Sequence, residues 1–171
     1  MGKNIVLIGF MGTGKSSVGY ILAQKLNRDF VDTDQEIEAV SGMSIAEMFK
    51  RHGETRFRSE ESLVIDKWAM REDIVIATGG GAVLSEGNIA ALKKNSLLIC
   101  LDASPEDIFE RVNRKKGSRP LVNKNTGIED IARMLEEREP YYACADIRIK
   151  TDHKSPKEIV AEIIRENYHL L

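Results

Sequence analysis

A glycine-rich stretch at residues 9–17, GFMGTGKSS, stands between the apolar run 4–8 (NIVLI) and a helical pattern at residues 15–26. It fits the spacing G-x-x-x-x-G-K-[ST], in which glycines let main-chain N–H groups turn inward toward an oxyanion. Lys15 would place a positive charge at the β- and γ-phosphates, and the Ser16 hydroxyl would ligate Mg²⁺. A chance glycine turn is the alternative, but the strand before and the helix after favour a nucleoside triphosphate site.

The composition is that of an ordinary globular protein. The chain has 171 residues, of which 42% are apolar and 30% charged, and its formal net charge is −2. These values predict a single domain spanning residues 1–171, and the small net charge gives no electrostatic reason to expect nucleic acid or an anionic membrane as a partner. Cys100 and Cys144 match no metal or redox spacing, and no apolar run could serve as a targeting or membrane-spanning segment. We therefore expect a cytoplasmic protein.

Short apolar runs alternate with longer helical patterns along the chain. The predicted strands are 4–8, 29–32, 74–77, 96–101 and 146–150. The predicted helices are 15–26, 35–51, 54–71, 86–94, 105–115, 128–142 and 156–168. This alternation predicts an α/β fold in which helices cover both faces of a parallel sheet. The polar, basic segment 114–127 (RKKGSRPLVNKNTG) is either a solvated surface loop or a mobile flap that carries Arg119.

Two carboxylates follow the second predicted strand, in the stretch VDTDQEI. Asp32 and Asp34 would point in the same direction if the strand stayed extended, because side chains on a strand alternate with a period of two. They would lie at the C-terminal edge of the sheet, where open α/β folds bind ligands. One could hold a metal through water and the other could accept a hydroxyl proton. The alternative is that one of them caps the helix that opens at Gln35.

A carboxylate among apolar neighbours is predicted in the helical stretch GETRFRSEESLVIDKW. Its apolar stripe contains Phe57, Val64 and Trp68, and Glu61 falls on the same stripe. Arg58 lies three residues before Glu61 and can pair with it. Either the two residues form a surface ion pair, or Glu61 holds Arg58 toward an anionic substrate.

Three consecutive glycines at residues 79–81 follow the third strand, in ATGGGAV. Such a run packs nothing and is costly in entropy, so it indicates that something approaches the backbone closely. Farther along the chain, Arg138 falls on the apolar stripe of the helix predicted at 128–142. It forms either a structural salt bridge or, together with Arg58, a clamp for a carboxylate, whose geometry the guanidinium fork matches.

Taken in order, these motifs resemble the shikimate kinase family over almost the whole chain. They are GFMGTGKSSVG, DTD, GE..FR..E, TGGGAV, RPLV, REPYY and TD..SP.EI. The resemblance implies a three-layer P-loop fold like that of nucleoside monophosphate kinases, with a five-stranded parallel sheet in the order 2-3-1-4-5 and a mobile lid. It also implies a monomer that transfers phosphate from ATP to the 3-hydroxyl of shikimate, on the chorismate route to the aromatic amino acids.

The same resemblance implies roles for individual residues. The residues implied to bind ATP are Gly12, Thr13, Gly14, Lys15, Ser16 and Ser17, with Arg114, Arg119, Ser155 and Pro156. Those implied to bind Mg²⁺ are Ser16 and Asp32. Those implied to bind shikimate are Asp34, Arg58, Glu61, Gly79, Gly80, Gly81 and Arg138. Asp34 would act as the base, with Lys15 and Arg119 as the other catalytic residues, and the substrate region and the lid would cover about 33–61 and about 114–127.

Two other functions share parts of this pattern. A kinase for another small polyol acid, such as gluconate, would have the same phosphate loop, but the paired arginines and the triple glycine argue against it. A nucleotide-binding regulatory module that has lost catalysis would keep the fold, but the presence of Lys15, Asp34 and Arg119 argues against that.

Overall fold

The structure is a computed structural model, and it describes residues 3–114, 126–167 and 169–171. Most of the segment predicted to form the lid, including Arg119, lies outside the described residues.

A five-stranded parallel sheet forms the centre of the molecule. Its strands are β1 (Asn4–Ile8), β2 (Asp29–Asp32), β3 (Ile74–Ala77), β4 (Ser96–Asp102) and β5 (Ile147–Lys150). They lie in the order β2-β3-β1-β4-β5, which confirms the predicted order, and Val6 of β1 pairs with Ile76 on one side and Leu98 on the other. In a parallel sheet all the strands end at the same edge, so the loops after β1, β2 and β3 meet there.

Seven helices surround this sheet in the described part of the chain. They are α1 (Lys15–Leu26), α2 (Thr33–Ser41), α3 (Ile45–Ala69), α4 (Glu86–Lys93), α5 (Pro105–Arg114), α6 (Ile128–Tyr142) and α7 (Pro156–Asn167). A short 3₁₀ turn covers Ala82–Leu84. None of the helices within the described ranges combines the length and the apolar character that crossing a bilayer requires.

Each face of the sheet has its own apolar core, as expected for strands buried on both sides. Val6 and Ile8 pack on the face covered by helices α3 to α6, in the same cluster as the buried Cys100. Ile5 and Leu7 pack on the opposite face against α1 and α7. A third, smaller cluster joins α2 to α3 through Ile37, Met48, Phe57 and Val64. It lies beside a cavity that is lined by Phe57 of this cluster and by Ile45 and Phe49, which pack against it.

The single helix predicted at 35–51 is wrong, because two capping signals divide it. Helix α2 ends at Ser41, followed by Gly42, whose φ of 69° lies in the left-handed region that glycine favours. Ser44 then caps α3 by accepting a hydrogen bond from the Glu47 N–H. The apolar pattern runs through both helices, so periodicity alone did not reveal the break.

The boundary predicted near residues 52–54 corresponds to a kink instead of a loop. Gly53 has φ 78° and ψ 175° inside α3, so the helical axis is broken there while hydrogen bonding continues on both sides. The kink separates the part of α3 that carries Phe49 from the part that carries Phe57, Arg58 and Glu61.

Candidate active site

The loop after β1 is held open by glycine at two positions where no other residue fits well. A Cβ on Gly9 would lie 2.4 Å from the Leu101 carbonyl oxygen, and its φ is 140°. Gly14 is the N-cap of α1 with φ 98°. These conformations turn the chain directly into the helix, so that main-chain N–H groups and the positive end of the α1 dipole face the same space.

Lys15 lies folded over this loop and is only 7% exposed. Its Nζ donates to the carbonyl oxygens of Gly9 at 2.7 Å and Phe10 at 2.9 Å. The neighbouring Thr13 is also tied to the loop, because its hydroxyl donates to Phe10 O at 2.8 Å. The ammonium group is therefore held next to the phosphate-binding backbone by short main-chain contacts.

Asp32 combines the two alternatives that the sequence left open. Its Oδ1 caps α2 by accepting from the main-chain N–H groups of Asp34 (3.0 Å) and Gln35 (3.2 Å). Its Oδ2 accepts a hydrogen bond from Ser16 Oγ at 2.5 Å. One carboxylate thus starts the helix and also faces the phosphate loop.

The expectation that Asp34 continues an extended strand is wrong. Strand β2 ends at Asp32, and α2 begins at Thr33, so Asp34 lies in the first turn of a helix. The Asp32 cap forces this early start, because it satisfies N–H groups that the helix would otherwise leave unpaired. Asp32 and Asp34 still line the same cavity, since the helix begins at the edge of the sheet.

One cavity at the C-terminal edge of the sheet collects most of the predicted site residues. Those that line it are Gly12, Gly14, Lys15, Ser16, Ser17, Asp32, Asp34, Arg58, Glu61, Gly79, Gly80, Gly81 and Arg138. They come from five separate parts of the chain. Thr13, by contrast, is buried beneath the loop instead of lining the cavity.

The sequence analysis missed the apolar wall of this cavity. Phe49 and Phe57 line it with ring centroids 4.9 Å apart, and Ile45 and Met11 add to the same wall. Phe57 was recognisable as part of an apolar stripe, but a stripe residue is usually core, and its place at the cavity is visible only in the folded structure. The wall offers an apolar surface against which a small ring could pack.

Two carboxylate oxygens in the cavity are buried. Within the described part of the chain, neither Asp34 Oδ1 nor Glu61 Oε1 has a hydrogen-bond partner. Burial, followed by the nearby charges of Asp32 and Glu61, raises the pKa of Asp34 from 3.8 to about 6. Burial also raises the pKa of Glu61, although the charge of Arg58 opposes this. Buried acceptors of this kind call for a donor, which a ligand hydroxyl could supply.

The run 79–81, which we call the glycine row, lies directly against these charged groups. A Cβ on Gly79 would fall 2.6 Å from Asp34 Oδ1 and 2.9 Å from Glu61 Oε1, and one on Gly81 would fall 2.4 Å from Arg58 Nη2. At Gly80 the nearest atom would be Met11 N, at 3.1 Å. The predicted close approach is therefore confirmed, and the approaching groups belong to the protein itself.

Arg58 is held by two carboxylates on α3. Its Nη1 donates to Glu61 Oε2 at 2.8 Å, while Nε and Nη2 donate to Glu54 Oε1 at 3.3 and 3.2 Å. Glu61 is fully buried, so this is not a simple surface ion pair. Arg138 is half-buried, less than its place on the helical stripe indicated, and its Nη1 donates to Gly80 O at 3.4 Å. Both guanidinium groups border the cavity.

Arg111, on α5, is a residue that the sequence analysis missed. Its guanidinium donates to Thr151 O at 2.6 Å and Thr151 Oγ1 at 3.0 Å, and it also approaches Gly12 O and Thr13 O, each at 3.4 Å. It thereby links the phosphate loop to the loop after β5. The sequence feature that could have indicated this role is the position of Arg111 about one helical turn before the basic segment 114–127.

Arg114, Ser155 and Pro156, which were also predicted to contact the nucleotide, lie outside the cavity lining. The side chain of Arg114 is 76% exposed and pairs with Glu110. Ser155 and Pro156 open α7, where Ser155 Oγ accepts from the Glu158 N–H at 3.3 Å. None of the three predicted residues lines the cavity.

The fold and this loop define the class of P-loop nucleotide-binding proteins. The model of the shikimate kinase family matches residues 11–167. A shikimate kinase of Pelotomaculum thermopropionicum is 50% identical over 95% of this chain and 94% of its own length. One of Thermodesulfovibrio yellowstonii is 47% identical over 96% of this chain and 94% of its own. The chain belongs to the shikimate kinase family, as its motifs indicated.

Solved structures agree with this assignment. Shikimate kinase from Acinetobacter baumannii in complex with shikimate superposes with a TM-score of 0.93 at 33% identity, covering 99% of this chain and 94% of that one. A gluconokinase from Sinorhizobium meliloti 1021 superposes with a TM-score of 0.57 at 16% identity, covering 99% of this chain and 93% of that one, a likeness of fold alone. The predicted α/β fold, its strand order and the kinase activity are thus confirmed. The mobile lid, the roles of single residues and the metal stay predictions. So do the monomeric state, the absence of nucleic-acid and membrane partners, the cytoplasmic location and the single domain.

Proposed function

We propose that this protein transfers the γ-phosphoryl group of ATP to the 3-hydroxyl of shikimate. One observation carries the proposal: a phosphate-binding loop, two buried carboxylates and two guanidinium groups border a single cavity. The loop fits the triphosphate of the phosphoryl donor, and the remaining groups fit a small acid that carries hydroxyls.

The donor end of the cavity suits a triphosphate. Main-chain N–H groups of residues 12–17 and the N-terminus of α1 would bind the phosphate oxygens. Lys15 would add a positive charge from its place over the loop. Phosphoryl transfer depends mainly on such positioning and on neutralising charge, because the protein supplies little covalent chemistry.

Mg²⁺ would be held by Ser16 and Asp32. The short contact between Ser16 Oγ and Asp32 Oδ2 places two oxygen ligands side by side, which suits a hard cation. No group of three or more His, Cys, Asp or Glu side chains within the described residues could hold a metal by itself. The ion would therefore bind together with the nucleotide phosphates, where it would neutralise part of their charge.

Asp34 would align and deprotonate the attacking hydroxyl. With a pKa of about 6 it is ionised near neutral pH yet basic enough to accept a proton. Its Oδ1 is buried and lacks a partner within the described part of the chain, so a substrate hydroxyl would satisfy it. Glu61 Oε1 borders the same point beside Gly79 and offers a second acceptor.

Arg58 and Arg138 would bind the carboxylate of the acid. Arg58 is pre-oriented by Glu61 and Glu54, and Arg138 approaches from α6, where its Nη1 donates to Gly80 O. Guanidinium forks bind carboxylates with two parallel hydrogen bonds, which fixes the orientation of the acid as well as its affinity.

Arg111 extends the proposed nucleotide site beyond the residues expected from the sequence. Because it bridges the phosphate loop and Thr151, it is the α5 arginine best placed to support the nucleotide. The roles proposed for Arg114, Ser155 and Pro156 at the adenine, and for Arg119 at the transferring phosphate, rest on the family resemblance.

ADP release from Mg-ATP tests the proposed function directly. We expect release with shikimate, a much slower release without an acceptor, and little with gluconate at equal concentration. Nuclear magnetic resonance of the product should show phosphate on the 3-hydroxyl. Nucleotide binding without turnover on either acid would instead support a regulatory module, and faster turnover with gluconate would overturn the proposed substrate.

A further inference from the structure

The glycine row has no side chains, so only main-chain contacts can hold it in place. Its first N–H, on Gly79, donates to Thr33 Oγ1 at 3.1 Å. The carbonyl of Gly80 accepts from the Tyr142 hydroxyl and from Arg138 Nη1, each at 3.4 Å. The row is therefore held from both sides by hydroxyl groups, one on α2 and one on α6.

We infer that Thr33 and Tyr142 are positioning residues, which set the glycine row at the spacing that the acid-binding groups require. The inference rests on the proposed function, since it concerns the acid end of that same cavity. Neither residue lines the cavity, so each would act through the row and not by touching substrate.

The charged groups lie so close to the row that no side chain fits between them. A Cβ at Gly79 would fall within 3 Å of Asp34 and Glu61, and one at Gly81 within 3 Å of Arg58. A shift of the row toward these groups would change its spacing to the carboxylates and the guanidinium. A shift away from them would open a gap below the substrate.

Both hydroxyls lie in a dry interior, where the loss of one partner matters most. Thr33 is fully buried and Tyr142 is 2% exposed. Burial raises the pKa of Tyr142, which keeps its hydroxyl neutral and able to donate. Removing the Thr33 hydroxyl would leave the N–H of the buried Gly79 without that hydrogen bond. Removing the Tyr142 hydroxyl would leave the half-buried Gly80 carbonyl with the bond from Arg138, so in either case the row would shift toward its remaining contacts.

The two hydroxyls also connect the row to the elements that carry the acid-binding groups. Thr33 lies between Asp32 and Asp34 in the first turn of α2, and Tyr142 lies one turn beyond Arg138 in α6. Through these two hydroxyls the row is connected both to the segment that carries the proposed base, Asp34, and to the helix that carries Arg138 of the carboxylate clamp.

Steady-state kinetics of near-isosteric variants test the inference. Thr33→Val removes the acceptor while keeping the shape, and Tyr142→Phe removes one oxygen. We expect each to raise the KM for shikimate about tenfold, with the KM for ATP changed less than twofold. Thr33→Ser retains the hydroxyl and should restore the wild-type KM, and Tyr141→Phe, on the 43% exposed neighbour, should change neither constant.

A control separates positioning from loss of stability. Asn4 is buried at the end of β1 that lies away from the phosphate loop. Its Nδ2 donates a hydrogen bond to Arg71 O at 2.7 Å, and its Oδ1 accepts one from the Ile74 N–H at 3.1 Å. Asn4→Ala should lower the melting temperature at least as much as Thr33→Val, yet leave the KM for shikimate unchanged.

The inference is overturned if Thr33→Val and Tyr142→Phe keep the wild-type KM for shikimate, if both substrates are affected equally, or if Asn4→Ala raises the shikimate KM as they do. Each of these outcomes requires a wild-type enzyme that turns over shikimate. Absence of shikimate turnover by the wild type would instead overturn the proposed function, so the two failures are distinguishable.

Discussion

Replacing Asp34 by asparagine should stabilise the protein while abolishing its turnover. The substitution keeps the shape of the side chain and removes its charge. Asp34 is buried next to Asp32 and Glu61, and these surroundings raise its pKa from 3.8 to about 6. The folded protein therefore holds the Asp34 proton more tightly than the unfolded chain does.

The magnitude follows from these two pKa values. At about 1.4 kcal/mol per pH unit, ionising Asp34 in the folded state costs roughly 3 kcal/mol relative to the unfolded chain. Because the folded pKa is raised, protonation of Asp34 stabilises the fold at low pH, and this stabilisation is lost as the pH rises through about 6. Asparagine avoids that loss, so the advantage of the variant should be up to about 3 kcal/mol at pH 8 and about half that at pH 5.

Urea unfolding in magnesium-free buffer at pH 8 and pH 5 measures this advantage. With an m value of about 2 kcal/mol per molar urea, the midpoint of Asp34→Asn should rise by roughly 1.5 M at pH 8. Asp29→Asn is the matched control, since Asp29 is exposed on the neighbouring strand β2 and the same chemical change should leave the midpoint unaltered. An equal midpoint for Asp34→Asn and wild type at pH 8, or an advantage of the same size at both pH values, would refute the reasoning.

Three further predictions concern catalysis. Gly81→Ala would place a methyl group 2.4 Å from Arg58 Nη2, so we expect the KM for shikimate to rise at least about tenfold with the KM for ATP nearly unchanged, as measured by steady-state kinetics. Ser16→Ala removes the hydroxyl beside Asp32, and a magnesium titration of the rate should show a several-fold higher half-saturating concentration; an unchanged value would remove Ser16 from the metal site. A pH profile of kcat/KM for shikimate should fall about tenfold per pH unit below about pH 6, where Asp34 becomes protonated; a flat profile down to pH 5 would exclude Asp34 as the base.

Much of the fold could be predicted because its signals are local. The buried strand Asn4–Ile8 is a continuous apolar run, and the glycine loop and its helix follow within a few residues. The early start of α2 was missed because the cap that causes it uses an aspartate that also suited a strand end. The division at Gly42 was missed because the apolar pattern continues across it.

The members of the candidate site could also be named in large part from the sequence, since their residue types and motif order were informative. The sequence did not predict how these residues are arranged relative to one another. The sequence indicated that something approaches the triple glycine, but not that it is Arg58 and two carboxylates. Arg111 was overlooked because its partners, Gly12, Thr13 and Thr151, are distant along the chain.

Local sequence patterns were enough to predict the α/β class, the phosphate loop and the identity of the charged groups, because spacing over a few residues encodes backbone conformation and side-chain chemistry. The strand order was available only through the resemblance to a known family. The sequence did not indicate which oxygens of Asp34 and Glu61 are buried without hydrogen-bond partners among the described residues, or how closely the glycine row approaches these carboxylates, and the folded structure shows both. These properties depend on the packing of α2, α3 and α6 at one edge of the sheet, where desolvation and contact distance arise from elements that no short stretch of sequence brings together.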